Sequence, residues 1–405
     1  MSRIKIGLLR EGKVPPDKRV AFTPAQVEEI QQRFDNVKVV CQESAIRCFT
    51  DLEYKALDIE VVTDLSDCDI LMGIKEVPIH ELIDNKTYLF FSHTIKKQPY
   101  NRGLLQAVLK KNIRMIDYEG LKDAQGNRLV AFGRFAGIVG AYNGLLTYGK
   151  RYNLFSLRRA YDCFDLNDLK LELRKVNLPP IKIVLTGGGR VGKGAMETLD
   201  TAGIRKVNPE DFLTRQYQEP VYAQLSSSDY HTRKTGGHFN REEFYSYPER
   251  YMSLFSKYTK VAELLLGGAY WNPKAPVLFT RDEMQDPTFK IRVVADITCD
   301  INGSIPSTRR PSTIPDPVYD YDPKTDSVFP PFSDSRFITS MAVDNLPCEL
   351  PRSASQEFGR DLIDRIMKPL LRNDVERIIK RATVTENGLL TKEFSYLQDY
   401  AKGIE

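Results

Sequence analysis

The stretch IKIVLTGGGRVGKGA, Ile181 to Ala195, is glycine-dense and admits two phosphate-binding readings. Gly187, Gly189 and Gly192 fit a dinucleotide fingerprint, G-x-G-x-x-G. Gly187 through Gly192, with Lys193, fit most of a P-loop, G-x-x-x-x-G-K-S/T. A P-loop needs a hydroxyl after its lysine to ligate the Mg²⁺ that bridges the phosphates. Gly194 stands there instead. The dinucleotide pattern is complete: Gly187 permits the tight turn, Gly189 lets backbone approach the pyrophosphate, and Gly192 allows close helix–strand contact. A helix opening at Arg190 and Val191 would present its N–H groups and positive dipole end to the phosphates. A ribose-binding side chain is expected about 20 positions on. Asn208, in GIRKVNPEDF, falls near that place. It can bond a ribose hydroxyl but carries no charge to repel a 2′-phosphate, so NAD is the expected cofactor and NADP the alternative.

This loop starts late because a complete α/β unit precedes it. RIKIGLL, VKVVCQ, DILMGIK, TYLFFSH and IRMIDYE read as buried strands, with TPAQVEEIQQRF, DLEYKAL and NRGLLQAVLKKN as helices between or beside them. Thr23 is the expected cap of the first helix, with Pro24 at its first turn. Strands separated by helices imply a parallel sheet covered on both faces. RLVAFGRFAGIVGAYNGLLTYGKRY reads as a buried helix crossing between domains. PPIKIVLTGGG starts a second α/β unit, which KIRVVADIT continues as a buried strand. Residues 212–260 form a polar segment with seven tyrosines, expected at the surface or a subunit contact. INGSIPSTRRPSTIPDPVYDYDPKTD reads as a loop with little regular structure. The chain's last part, from SASQEFG onward, reads as amphipathic helices, with Ser353 or Ser355 as a cap. The expected fold class is α/β: two Rossmann-like domains with parallel sheets and an interdomain cleft. Residues 1–134 with 340–405 would bind substrate, and 135–339 would bind the dinucleotide.

Composition narrows the function classes. At 405 residues the chain is too long for one small core. The balance of 58 basic against 54 acidic residues gives only +4, too mild for a nucleic-acid groove. No apolar run approaches membrane-spanning length, and MSRIKIGLLREG lacks a signal-peptide core, so the protein is expected to be cytoplasmic and not membrane-bound. None of the six cysteines forms a C-x-x-C pair, and no metal site is expected. His80, His231 and His238 are expected at the surface.

Several stretches together carry a family resemblance. GLLREGKVPPDKRVAFTP, with R-x-A-x-T-P at Arg19 to Pro24, resembles the opening of the alanine dehydrogenase/transhydrogenase α-subunit superfamily. DILMGIKEVP and FFSHTIKKQ resemble its lysine and histidine segments. YEGLKDAQGNRLVAFGRFAG and AVDNLPCELPRSASQEFG are similar to saccharopine dehydrogenase of the lysine-forming kind. The likeness spans nearly the whole chain in order. Residues 212–260 are larger than in the compact fungal enzymes, and Val191 stands where those carry a cysteine. CDINGSIPSTRRPSTI looks more like the lysine–ketoglutarate reductase module, which runs related chemistry with NADP.

The resemblance implies oxidation of a secondary amine, saccharopine, to an imine that water cleaves to lysine and 2-oxoglutarate, or the reverse condensation. Each stage moves a proton. It maps acid–base roles onto Lys75 and His93 and substrate binding onto Arg19, Gln98 and Arg128. A histidine is the natural base for the attacking water. Lys75 would need burial or a neighbouring cation to lower its proton affinity. Arg19, Lys96 and Arg128 supply positive charge suited to a substrate with several carboxylates. Glu119 either tunes the lysine or caps a turn. Asp344 either faces the nicotinamide or caps the helix after LP. Tyr270 either stacks near the cofactor or packs with Trp271. The alternatives are an alanine dehydrogenase-like enzyme and a non-catalytic NAD(H)-binding subunit. A small amino-acid substrate is expected, with the protein a monomer or homodimer.

Overall fold

The computed structural model describes residues 3–404, and the chain divides into two compact units, Met1–Phe132 with Pro351–Glu405, and Gly133–Leu350. The sequence reading ended the second unit at residue 339. Strand pairing keeps the chain in the second sheet as far as Met341, and that unit runs on to Leu350.

The first unit is one eight-stranded sheet. β1 (Ile4–Leu8), β2 (Val37–Gln42), β3 (Val61–Val62), β4 (Ile70–Met72), β5 (Thr87–Phe90) and β6 (Arg114–Asp117) are parallel, in the order β6-β5-β4-β1-β2-β3. Two strands near the end of the chain, β17 (Thr383–Glu386) and β18 (Leu389–Leu390), extend it antiparallel beside β6. The helices-only reading of that region missed these two strands, which are four and two residues long and show no alternation. Side chains alternate between two cores, as a strand's period of two requires. Val39, Cys41, Ile70, Met72 and Leu89 join one cluster, with Phe358 and Leu362 of the helix Pro351–Arg365. Val40, Leu71, Tyr88 and Phe90 join the other, with Leu104, Leu105 and Val108 of the helix Arg102–Lys110. Thr23 caps the helix Pro24–Arg33 through a reciprocal capping box with Gln26. Ser353 and Ser355 are not caps: both lie inside Pro351–Arg365, and the buried Ser355 hydroxyl accepts from the Val20 amide at 2.9 Å.

The second unit has its own eight-stranded sheet. β7 (Lys182–Thr186), β8 (Arg205–Lys206), β9 (Val221–Leu225), β12 (Leu264–Gly267), β13 (Val293–Asp296) and β16 (Ile338–Met341) are parallel. β14 (Val318–Asp322), inside the segment expected to be loop, and β15 (Ser327–Phe329), just beyond it, add an antiparallel hairpin. Tyr319 and Tyr321 are buried there, and this apolar alternation within VYDYD is the strand signal that the Pro-rich flank obscured. The order is β8-β9-β7-β12-β13-β16-β14-β15. The long helix Gly133–Arg151 belongs wholly to this unit and does not cross between units. It packs on the helix Arg190–Thr201 so closely that a Cβ at Gly137 would sit 1.9 Å from the Val191 carbonyl oxygen.

Residues 212–260 are not a surface insertion. They contain β9, a central strand, and a small hairpin of β10 (His231–Arg233) and β11 (Tyr251–Ser253). Tyr222, Tyr230, Tyr251 and Tyr258 are buried. His231 is also buried rather than exposed, and its ring lies 4.5 Å from that of Phe244. His80 and His238 are exposed.

Candidate functional site

In the first unit the candidate groups leave the carboxyl ends of four adjacent strands. Glu11, Lys13, Asp17 and Arg19 follow β1, Lys75 and Glu76 follow β4, His93 follows β5, and Asp117 ends β6 with Glu119 just beyond. Strand order reverses between β1 and β4, and open α/β sheets bind ligands at such a switch point.

Lys75 is half-buried. Burial, then the positive charges of Arg19 and Lys13, hold its ammonium below the usual lysine range. Its amide and that of Ile74 donate to the two oxygens of Glu11, at 2.8 and 2.7 Å. Burial, with the charge of Asp17, pushes the Glu11 carboxyl up to about 8 despite those two donors. A largely protonated Glu11 therefore places no full negative charge under the Lys75 turn at neutral pH.

His93 hydrogen-bonds Glu76 from Nδ1, at 2.5 Å to Oε1, while Lys13 Nζ holds Oε2 at 2.9 Å. Burial alone would raise Glu76, but the hydrogen bonds from His93 and Lys13 outweigh it and hold the carboxyl at about 2. An ionised Glu76 accepts, so Nδ1 carries a proton. The His93 backbone is left-handed, φ 53°, an uncommon state for a non-glycine residue. Ser92 and Asp117 hold that turn: the Ser92 amide and hydroxyl donate to Asp117 Oδ2 at 3.0 and 2.5 Å, and the Thr94 hydroxyl lies 2.7 Å from Ser92 Oγ. The ring of His93 stacks on Phe91.

Around this core lies an ionic belt. The buried Glu119 pairs with Lys96 at 2.9 Å and with Arg128 at 3.3 Å. Burial opposes its ionisation, but Arg128 and then Lys96 keep it below the usual carboxylate range. The turn it sits in is capped by Asp117, whose Oδ1 accepts from the Glu119 amide, so the capping alternative for Glu119 does not hold. Arg19, expected as an open substrate-binding cation, is buried and already paired with Asp17, through Nε at 3.0 Å and Nη2 at 2.6 Å. Its guanidinium lies 4.2 Å above the Phe132 ring. Gln98 is turned toward Tyr100, whose hydroxyl donates to its Oε1 at 2.6 Å. Glu11, Lys13, Asp17, Glu76, Ser92 and Asp117 went unread in the sequence. Glu76, the immediate neighbour of Lys75 at a strand end, was the one with a readable signal.

In the second unit the glycine loop joins β7 to the helix Arg190–Thr201. Gly187 is left-handed, φ 92°. A Cβ at Gly192 would meet the Gly187 carbonyl oxygen at 2.1 Å, whereas a Cβ at Gly189 would meet nothing within 4 Å. Tight packing at the third glycine and open space at the second fit a pyrophosphate cradle. Arg190 and Gly189 are exposed at the helix start, with Val191 half-buried behind them.

Asn208 is not at the expected place. It caps the helix Pro209–Thr214, accepting from the Asp211 amide at 2.7 Å. The strand beside β7 is β9 rather than β8, because β8 is a two-residue edge strand that pairs only with the start of β9. The strand end facing the glycine loop therefore carries Gln224, Ser226 and Ser227, with the Gln224 amide 3.2 Å from a Cβ at Gly188. Neither carboxylate nor cation stands at Leu225 to Ser228. Tyr270 is 85% exposed and does not pack in the core; Trp271 Nε1 donates to the Ala275 and Pro276 carbonyls instead. Asp344 is exposed after β16 and caps no helix: the 3-10 turn that follows, Leu346–Glu349, has Asn345 at its cap position.

Comparison with known proteins agrees with this architecture. Residues 7–139 match the family model for the alanine dehydrogenase/PNT N-terminal domain. The mitochondrial alpha-aminoadipic semialdehyde synthase of Mus musculus is 30% identical over 445 residues, covering 97% of this chain and 47% of that protein. The chain thus spans about half the length of the curated synthases it matches. Saccharopine dehydrogenase (NAD(+), L-lysine-forming) of Schizosaccharomyces pombe is 25% identical over 385 residues, covering 89% of this chain and 91% of the relative. Among solved structures, L-alanine dehydrogenase superposes with a TM-score of 0.65 at 15% identity over 99% of this chain, and the transhydrogenase from Sinorhizobium meliloti with 0.60 at 13% over 96%. The fold is that of L-alanine dehydrogenase, and residues 7–139 carry the likeness to the alanine dehydrogenase/PNT N-terminal domain. The named relatives that align along nearly the whole chain are saccharopine dehydrogenases and aminoadipic semialdehyde synthases. Among the described residues no helix is long and apolar enough to cross a membrane.

Proposed function

We propose that the chain is a nicotinamide-dependent oxidoreductase acting on a C–N bond of saccharopine, cleaving it to lysine and 2-oxoglutarate or forming it from them. The first unit, on this reading, handles protons and carboxylates, and the second binds the dinucleotide. The observation that carries the proposal is the presence of two proton carriers after neighbouring parallel strands, β4 and β5: a lysine held below its usual range and a histidine whose Nδ1 is committed to Glu76.

The chemistry of each residue follows. Nicotinamide, when bound, accepts or returns the hydride. Lys75 Nζ takes the proton of the substrate's secondary amine, a step favoured by the burial and neighbouring positive charge that lower its proton affinity. His93 Nε2 takes the proton of the water that attacks the imine carbon, and the Glu76 carboxylate stabilises the imidazolium formed. Arg128 and Lys96 meet substrate carboxylates, with Glu119 setting their positions. Arg19 acts mainly by keeping positive charge beside Lys75, and Gln98 lies at the rim. Gly187, Gly189, Arg190, Val191 and Gly192 hold the pyrophosphate, and Tyr270 and Asp344 flank the dinucleotide. The uncharged end of β9 neither repels nor clamps a 2′-phosphate, so NAD and NADP both belong in the test. The protein would work as a monomer or homodimer in the cytoplasm.

A substrate screen tests this. Purified protein is given saccharopine or alanine with NAD or NADP, and lysine plus 2-oxoglutarate with NADH or NADPH, while reduced nicotinamide is followed by absorbance. Turnover with the saccharopine set and not with alanine is expected. Turnover with alanine alone would replace this reading by the amino-acid dehydrogenase one.

A further inference from the structure

The stretches from Ser227 to Pro248 and from Ala269 to Leu278 wall a cavity in which the proposed function gives a role to Tyr270 alone. Its walls join three adjacent strand ends: Thr186 closes β7, Ser227 follows β9 and Ala269 follows β12. The glycine loop is next to it, since a Cβ at Gly187 would sit 3.0 Å from Ala269 Cα. In a doubly wound sheet the ribose and base of the adenosine half lie on the side of the strand next to the glycine-loop strand. Here that strand is β9. The cavity is aromatic, with Tyr245, Phe244 and Trp271 in its lining, and planar π faces suit a purine.

One polar side chain stands among these rings. His231 Nδ1 lies 3.2 Å from the Ser227 carbonyl oxygen, and a carbonyl can only accept, so Nδ1 carries the proton. Nε2 is then the ring's lone-pair acceptor, and among the described residues it has no hydrogen-bond partner. Burial pushes the imidazole down to about 4, so the ring is neutral at working pH.

We infer that this cavity receives the adenine ring of the dinucleotide and that His231 Nε2 accepts a hydrogen bond from the exocyclic amine of adenine. The inference rests on the dinucleotide reading of the second unit. A hypoxanthine ring carries a carbonyl oxygen where adenine has its amine. Two lone pairs would then face each other, and His231 would be left buried and unpaired.

The test compares binding of NADH with that of its hypoxanthine counterpart, reduced nicotinamide hypoxanthine dinucleotide, by titrating the full chain and following nicotinamide fluorescence. The NADPH pair is run in parallel. Wild type is expected to bind the adenine form about tenfold more tightly, the factor that one buried hydrogen bond supplies. His231→Phe keeps the aromatic contact but removes the acceptor and should bring the two forms to near parity. His231→Gln restores a carbonyl acceptor and should recover part of the preference. Equal affinity of wild type for both forms, or an unchanged preference in His231→Phe, overturns the inference while leaving dinucleotide binding intact. Failure of wild type to bind any of the four dinucleotides overturns both.

Discussion

His93 and Glu76 are joined by a hydrogen bond of 2.5 Å between Nδ1 and Oε1, made from the ends of two neighbouring parallel strands. The contact fixes the tautomer of the histidine, and Lys13 on the far oxygen of Glu76 keeps the carboxylate from turning away. The pair gives the site a histidine aimed by a charged partner, a division of labour seen where histidine serves as general base.

Glu76 also stabilises the fold, with a definite pH signature. Its folded value of about 2 lies below the ordinary 4.5, so its stabilisation is present above pH 4.5 and lost as pH falls toward 2. A shift of that size corresponds to about 3 kcal/mol. Glu76→Gln should lower the unfolding free energy at pH 7 by an amount of that order. It should also flatten the loss of stability between pH 4.5 and 2, both read by denaturant unfolding across pH. A variant whose acid unfolding profile matched wild type would disprove the coupling.

The glycine loop separates cofactor binding from folding. Gly192→Ala forces a Cβ to 2.1 Å from the Gly187 carbonyl oxygen, so the thermal midpoint should fall by several degrees. Gly189→Ala meets no protein atom and should leave the midpoint unchanged while weakening NADH binding by tenfold or more. Normal NADH affinity in a stable Gly189→Ala protein would remove the pyrophosphate from this loop.

Asp117 is the buried support of the His93 turn, accepting from the amides of Ser92 and Glu119 and from the Ser92 hydroxyl. Asp117→Ala leaves those donors unpaired and should cost about 2 to 4 kcal/mol of stability. In protein still folded at low temperature, kcat should drop more than NADH affinity, because the left-handed His93 backbone loses its hold. Unchanged kcat would show that the turn survives without the aspartate.

Period and punctuation made much of this legible from sequence. The strands from RIKIGLL to IRMIDYE, the cap at Thr23 and the fingerprint glycines are local signals, and each marks a real element. What escaped was set by pairing across distance. Asn208 lies at the right count from the glycines, yet β8 pairs with β9 and not with β7, so Ser226 and Ser227 occupy the position that the spacing assigned to Asn208. Arg19 reads as a free cation because nothing in KRVAFTP shows that Asp17 folds back on its guanidinium. Tyr222, Tyr230, Tyr251 and Tyr258 read as surface because polar neighbours hide β9 and the hairpin beside which they are buried.

Lys75 decides the account. Turnover of saccharopine, or of lysine with 2-oxoglutarate, and NADH affinity are measured together in wild type and Lys75→Met. The account predicts a loss of kcat of a hundredfold or more, the scale of one general acid–base group, with the dissociation constant for NADH within about twofold of wild type. Turnover that survives the substitution, or an equal loss of turnover and NADH affinity, would contradict the assignment of this lysine as the proton carrier.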